Sequence, residues 1–171
     1  MPVYSPPRPR RRPRRRRLAN VAALACTAAL VGYLVWAGLA AVQAQTEPRA
    51  IDGDTFRMGG TVIRLWGVDA PEIDQPCGNV PALAVQTLST LLADAGRVQC
   101  KRRGSSYGRT VARCIADGKD IGRTLVRLGL AFDAPRYSHG IYSDAQAQAR
   151  RESAGVWQHG CERPWRWRRA Q

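Results

Sequence analysis

The chain has 171 residues and a formal net charge of +14, a length that suits one domain with appended segments rather than several domains. The charge is unevenly placed, because eight arginines and no acidic residue lie in residues 1–17. The remaining 19 Lys and Arg face 13 Asp and Glu, so the body is only moderately basic. Such a balance fits a binder of phosphate polymers and also an ordinary soluble domain.

No charged residue occurs in residues 18–44, directly after the arginine segment. This order is typical of an export signal or a membrane anchor. The apolar run is longer than a usual signal core, which favours a transmembrane anchor at 18–44 with residues 1–17 in the cytoplasm. Small residues before Gln45 leave open a signal peptide cleaved after Ala44. Residues 45–171 are therefore expected outside the cytoplasm, anchored to the membrane or released to the periplasm or medium.

The first predicted element of the body is a β-hairpin. Gly59 and Gly60 form a two-residue turn signal between apolar, alternating runs at 55–58 and 61–68. A tight turn there places Met58 opposite Thr61 and Thr55 opposite Arg64.

A helix is predicted next, over 81–95, capped by Asn79 and ended by Gly96. Strands follow at 97–101 and 107–116, joined by the turn sequence RGSS at 103–106. Asp120 is expected to cap a short helix that stops at Gly129. Ser143 and Gln146 form a capping-box pattern for a last helix. The order of elements predicts a mainly β fold with helices, a small Greek-key barrel of the OB type.

The residues with candidate chemistry concentrate after the first predicted strands. Asp54 and Asp69 stand at the ends of paired strands, where two carboxylates, a backbone carbonyl and water suit a hard cation, Ca²⁺ or Mg²⁺. Arg64 lies within an apolar strand and is costly there unless it meets an anion. Glu72 follows Pro71 at a position where a general base could hold water. Each residue taken singly is also explained as an ordinary turn or surface residue.

Four motifs in this order resemble the staphylococcal nuclease (thermonuclease) family: IDGDTF, IRLWGVDAPE, YGRTVA and LVRLGLA. The resemblance covers about 51–157. It implies a five-stranded OB-fold barrel with three α-helices. It also implies a Ca²⁺-dependent endonuclease of DNA and RNA, with little sequence preference and 3′-phosphate products, and no obligate protein partner is expected.

The resemblance also assigns roles to individual residues. The metal ligands it implies are Asp54, Asp69 and the backbone carbonyl of Ala70. The catalytic residues are Arg64, Glu72 and Arg109, and the substrate-binding residues are Tyr107 and Tyr137. Ser106 and Pro135 depart from residues common in the family, which affects contacts with the nucleotide rather than the catalytic set. The alternative is a catalytically silent OB-type module that binds nucleic acid or protein at the membrane.

Four of the five cysteines lie in the part expected to be exported, which suggests two disulfides. Cys100 and Cys114 are equidistant from residue 107, close to the predicted turn, so they are expected to pair across the two strands. Cys77 and Cys161 are then left to pair with each other, tying the C-terminal tail to the segment after Glu72. Free thiols at these two positions and a zinc site are the alternatives.

Overall fold

The computed structural model describes residue 27, residues 29–39 and residues 47–171. The chain divides into two units, Met1–Ala44 and Gln45–Gln171. The described residues of the first unit are helical and expose apolar side chains such as Leu30 and Trp36. Within the described residues, no helix has both the length and the apolar character that crossing a membrane requires. Most of the predicted anchor or signal at 18–44, and all of the arginine segment 1–17, lie outside the described residues.

Eight strands lie in residues 47–171, the described part of the second unit. They are β1 Arg49–Asp52, β2 Thr55–Met58, β3 Thr61–Leu65, β4 Val68–Asp69, β5 Val98–Ser106, β6 Arg109–Ala116, β7 Lys119–Asp120 and β8 Phe132–Asp133. Its helices are α1 Val80–Ala93, α2 Ile121–Arg127, α3 Pro135–Ser138, α4 Ser143–Arg151 and α5 Pro164–Ala170, with a 3₁₀ turn at Gly155–Trp157.

The main sheet has the strand order β1-β2-β3-β6-β5, and β7 extends it by pairing with β6. Strands β3 and β6 run parallel, whereas the other pairs in this sheet are antiparallel. Strands β4 and β8 form a second, two-stranded sheet. The predicted OB-type fold is confirmed. The short helices α3 and α5 are additional to the three helices that were expected.

The β2–β3 hairpin has the predicted register. Met58 pairs with Thr61 and Thr55 pairs with Arg64. Both turn glycines have positive φ, +53° at Gly59 and +79° at Gly60, which a type I′ turn requires.

The turn between β5 and β6 was predicted wrongly. Strand β5 continues through Gly104, where the register shifts, and the chain turns at Tyr107 and Gly108 instead. Both of these residues have positive φ, +49° and +73°. Gly104, the glycine of RGSS, therefore lies within β5 as an irregularity in the strand pairing, and it does not end the strand.

Two of the predicted helix caps also differ. The Asn79 side chain makes no capping hydrogen bond at α1, which ends at Ala93 with Asp94 as its C-cap, ahead of the predicted end at Gly96. The capping box of α4 does not form, since Gln146 Oε1 accepts instead from the Asp133 N–H at 3.1 Å. The predicted Asp120 cap is present, accepting from the Arg123 N–H at 3.0 Å.

The core lies where α1 and α2 pack against the curved sheet. Its fully buried side chains include Phe56, Leu88, Ile121 and Leu125. On α1 the buried positions follow helical spacing, so one face of that helix closes the barrel.

Two disulfides tie the unit together. Cys100 lies directly opposite Cys114 in the β5–β6 register and is bonded to it, with Cα atoms 4.1 Å apart. Cys77 is bonded to Cys161, with Cα atoms 5.2 Å apart. This second bond joins the segment after Glu72 to the chain just before α5.

Loss of the Cys77–Cys161 bond should destabilise the fold more than loss of the Cys100–Cys114 bond. The sequence separations are 84 and 14 residues, for which loop entropy gives about 4.5 and 3 kcal/mol. Each pair includes one fully buried cysteine, so C77A/C161A and C100A/C114A lose similar packing. Urea unfolding of both double variants measures the difference, and equal losses would contradict the prediction.

Candidate active site

Arg64 and two aspartates meet at one end of the β2–β3 hairpin. Asp54 lies in the turn between β1 and β2, and Asp69 ends β4. Arg64 Nη1 lies 2.8 Å from Asp54 Oδ2, and its Nη2 lies 3.0 Å from Asp69 Oδ1. Asp54 is only 5% exposed and Asp69 7%. Carboxylates withdrawn from water to this extent need a cation, and the guanidinium supplies it.

Further hydrogen bonds hold this cluster in place. The Ala70 N–H donates to Asp54 Oδ2 at 2.8 Å, and the Thr55 hydroxyl donates to Asp54 Oδ1 at 3.0 Å. Arg64 Nη1 also donates to the Val68 carbonyl at 2.9 Å. The short loop from β3 to β4 is thereby fixed around the guanidinium.

The site concentrates negative charge. Burial raises the pKa of Asp69, although Arg168 and Arg64 oppose this effect. Burial and the nearby Asp54 likewise raise the pKa of Asp52. The raised pKa values mean that the ionised forms of Asp52 and Asp69 are disfavoured here. A cation placed beside these carboxylates would stabilise their ionised forms.

Glu72 contacts an arginine from the far end of the chain. Arg168, on α5, places Nη1 2.6 Å from Glu72 Oε1 and Nη2 3.1 Å from Asp69 Oδ1. Burial lowers the pKa of Arg168, but its hydrogen bond to Glu72 and the attraction of Asp69 outweigh this and raise it overall. The sequence patterns assigned no role to Arg168, which lies in the C-terminal tail after Cys161.

The approach of α5 to Glu72 has local causes. The Cys77–Cys161 bond fixes the chain before α5. The buried side chain of Gln75 donates to the Glu162 carbonyl at 2.6 Å and accepts from the Glu72 N–H at 3.3 Å. One glutamine therefore joins the loop of the expected general base to the tail.

Arg109 is not in contact with these carboxylates in the described part of the chain. It begins β6, and its Nε donates to the Ser106 carbonyl at 3.4 Å. Strand β6 runs parallel to β3 with Val111 opposite Arg64. Since side chains alternate along a strand, Arg109 lies on the same sheet face as Arg64.

The two expected substrate-binding tyrosines lie on the surface. Tyr107 is 96% exposed at the tip of the β5–β6 hairpin, and Tyr137 is 60% exposed on α3. Neither makes a side-chain contact with the carboxylate cluster among the described residues. Their roles, like those of the other site residues, stay predictions.

Residues 62–159 match a family model described as staphylococcal nuclease homologue. The chain belongs to the staphylococcal nuclease family. It is a nuclease, a hydrolase, and the prediction of an enzyme over a catalytically silent binding module is confirmed.

Relatives of this nuclease come from several bacteria. A succinoglycan biosynthesis protein, ExoI, of Rhizobium meliloti is 35% identical over 67% of each chain. An uncharacterized endonuclease of Haemophilus influenzae is 33% identical over 69% of this chain and 68% of its own. A micrococcal nuclease of Shigella flexneri is 32% identical over 71% and 78% of the two chains.

The donor set of the nuclease fits a hard cation chemically. No group of three or more His, Cys, Asp and Glu side chains suited to a metal is found in the described residues. A metal here would depend on two carboxylates, Asp54 and Asp69, with main-chain and water oxygens completing its shell. These ligands are all oxygen atoms, which Ca²⁺ prefers.

Arg64 should matter for stability as well as for activity, unlike Arg109. Arg64→Ala leaves two buried carboxylates with less neutralisation, which typically costs about 3 kcal/mol. Arg109→Ala removes one long hydrogen bond and is expected to cost under about 1 kcal/mol. Urea unfolding in chelator compares the two variants, and equal losses would show that Arg64 is not a structural partner of the aspartates.

Proposed function

We propose that this nuclease is a Ca²⁺-dependent endonuclease that hydrolyses DNA and RNA with little sequence preference and leaves 3′-phosphate ends. The observation that carries the proposal is the cluster of Asp54, Arg64 and Asp69, with Glu72 at its rim. Two relatives, named as an endonuclease and as a micrococcal nuclease, support the endonuclease assignment. No motif for reading base edges is evident, which supports the lack of sequence preference.

The metal would be held by Asp54, Asp69 and the Ala70 carbonyl. When bound, Ca²⁺ supplies positive charge next to the scissile phosphate. The protein contributes a preformed pair of carboxylates, because the Ala70 N–H and the Thr55 hydroxyl already orient Asp54. Burial of both aspartates excludes most competing water.

Glu72 is the proposed general base. Its side chain is 28% exposed, so water can reach it. The carboxylate takes a proton from that water as the water oxygen attacks phosphorus. The P–O5′ bond then breaks, O5′ leaves and takes up a proton, and the phosphate remains on the 3′ side.

Arg64 and Arg109 are the proposed stabilisers of the phosphoryl transition state. Negative charge in that state is spread over the equatorial oxygens, which guanidinium groups neutralise. The two side chains share one face of the β3–β6 pair, so both can approach the same phosphate. Tyr107 and Tyr137, both exposed, are available to contact the polynucleotide.

Export is part of the proposal. Two disulfides in one small unit favour an oxidising compartment. The uncharged run at 18–44 after the arginine segment supports either a membrane anchor or a cleaved signal peptide.

Activity should require a divalent cation, with Ca²⁺ preferred to Mg²⁺. The reason is the all-oxygen, carboxylate-based donor set. Plasmid DNA and an unstructured RNA, each incubated with the full chain in Ca²⁺, in Mg²⁺ and in excess chelator, give the test. End-group analysis should find 3′-phosphates, and full activity in chelator would refute metal dependence.

Glu72→Gln should lower turnover by about 10²–10⁴ with the fold intact, since it removes a general base. Arg109→Ala should lower it by about 10²–10³, since it removes one electrostatic stabiliser. Asp74→Asn is a matched control for Glu72→Gln, because Asp74 is an exposed acid two residues away. Turnover is measured at saturating Ca²⁺ on folded protein. Wild-type turnover in Glu72→Gln would mean that another group is the base.

A further inference from the structure

Arg168 is a second guanidinium at the carboxylates of the site, and it comes from outside the segment that matches the family. Its Nη1 lies 2.6 Å from Glu72 Oε1. Its Nη2 lies 3.1 and 3.2 Å from the two carboxylate oxygens of Asp69. One side chain therefore spans the proposed general base and a proposed metal ligand.

We propose that α5 is a latch: Arg168 occupies Asp69 and Glu72 in the metal-free protein, and a divalent cation must displace it to bind. This inference rests on the proposed function, because it takes the metal position at Asp54 and Asp69 as given. It adds a residue that controls access to that position.

Arg168 and a metal ion would compete because both bind the carboxylate oxygens of Asp69. Both oxygens of Asp69 accept from Arg168, so a cation that binds either oxygen meets the guanidinium at close range. Two positive groups repel, and they do so more strongly where the carboxylate is buried and screening by water is weak. Asp69 Oδ1 also accepts from Arg64, whereas among the described residues Oδ2 accepts from Arg168 alone, so Arg168 and the metal compete for Oδ2.

Arg168 also contacts the base. It holds Glu72 Oε1 at 2.6 Å, whereas Oε2 has no hydrogen bond to the described residues and is the oxygen that water can reach. Departure of Arg168 would free Asp69 Oδ2 and Glu72 Oε1 in one movement. Metal entry and the freedom of the base are thereby linked.

The helix is anchored at its start and weakly held beyond it. The Cys77–Cys161 bond, the Gln75–Glu162 hydrogen bond and buried Pro164 fix its beginning. In the described part of the chain, residues 165–171 make their polar contacts with the rest of the unit through Arg168. Most of these seven residues are exposed. The end of α5 can therefore leave the site while its start stays in place.

Calcium titration by calorimetry tests the competition directly. When a competing contact must first open, the apparent affinity falls by the fraction of open protein. Arg168→Ala should therefore bind Ca²⁺ roughly 5- to 30-fold more tightly than the wild-type full chain, the range expected for a partly exposed ion-pair fork. Arg169→Ala is the matched control: it removes the same charge from the same helix, and Arg169 lies over Trp165 with no ion pair to a carboxylate of residues 47–171.

The outcomes separate the latch from the proposed function. Tighter binding in Arg168→Ala but not in Arg169→Ala supports the latch. Equal affinities in wild type and Arg168→Ala overturn the latch and leave the metal site standing. Absence of binding in every variant overturns both, and Asp69→Asn, which lacks a proposed ligand, defines that baseline.

Hydrogen exchange of the 164–171 peptide gives a readout in the wild-type chain. Displacement of Arg168 by Ca²⁺ should accelerate exchange of the α5 amides, whereas metal binding without displacement should leave it unchanged or slower. Arg168→Ala should show fast exchange with and without Ca²⁺. Unchanged or slower exchange of the wild-type peptide at saturating Ca²⁺ would refute the latch.

Discussion

The ion pairs between Arg64 and two buried aspartates are the contacts on which the rest of the site depends. Asp54 and Asp69 are almost shielded from water, and Arg64 pairs with both of them. The β2–β3 hairpin places Arg64 beside the turn that carries Asp54, and the bond from Arg64 to the Val68 carbonyl brings in β4 and Asp69. A residue proposed to stabilise a transition state is thus also what assembles the site.

The carboxylates at the site outnumber the guanidinium groups that contact them. Three carboxylates, Asp54, Asp69 and Glu72, face two guanidinium groups in this structure. In the proposed mechanism Asp54 and Asp69 would hold a divalent cation that neutralises them, and the arginines would then be available to attract a phosphate. The guanidinium of Arg64 can bind either the aspartates or a phosphate, because carboxylate and phosphate groups both present pairs of oxygen atoms with similar spacing.

The parts of the structure that were predictable from sequence depend on short-range rules. The Gly59–Gly60 turn determines the hairpin register, and that register alone places Arg64 beside the Asp54 turn. Rules of the same kind misplaced the β5–β6 turn, because either Gly104 or Tyr107–Gly108 could end the strand and only pairing with β6 decides between them. They also predicted a capping box at Gln146, whose amide is used instead by a distant backbone group, Asp133.

Arg168 could not be predicted in this way, because its partners lie 96 and 99 positions away in the sequence. The predicted Cys77–Cys161 pairing correctly placed the C-terminal tail near Glu72. It did not determine which arginine of the tail would reach a carboxylate. The bond at Cys161 explains how so exposed a contact can be populated at all. The Cys77–Cys161 bond and the Gln75–Glu162 hydrogen bond fix the start of α5 beside the site, so Arg168 loses less freedom on reaching the carboxylates than an untethered guanidinium would. In the proposed latch, the disulfide thus helps a modest ion pair to compete with a metal ion, while the exposure of Arg168 keeps the pair weak enough to be displaced.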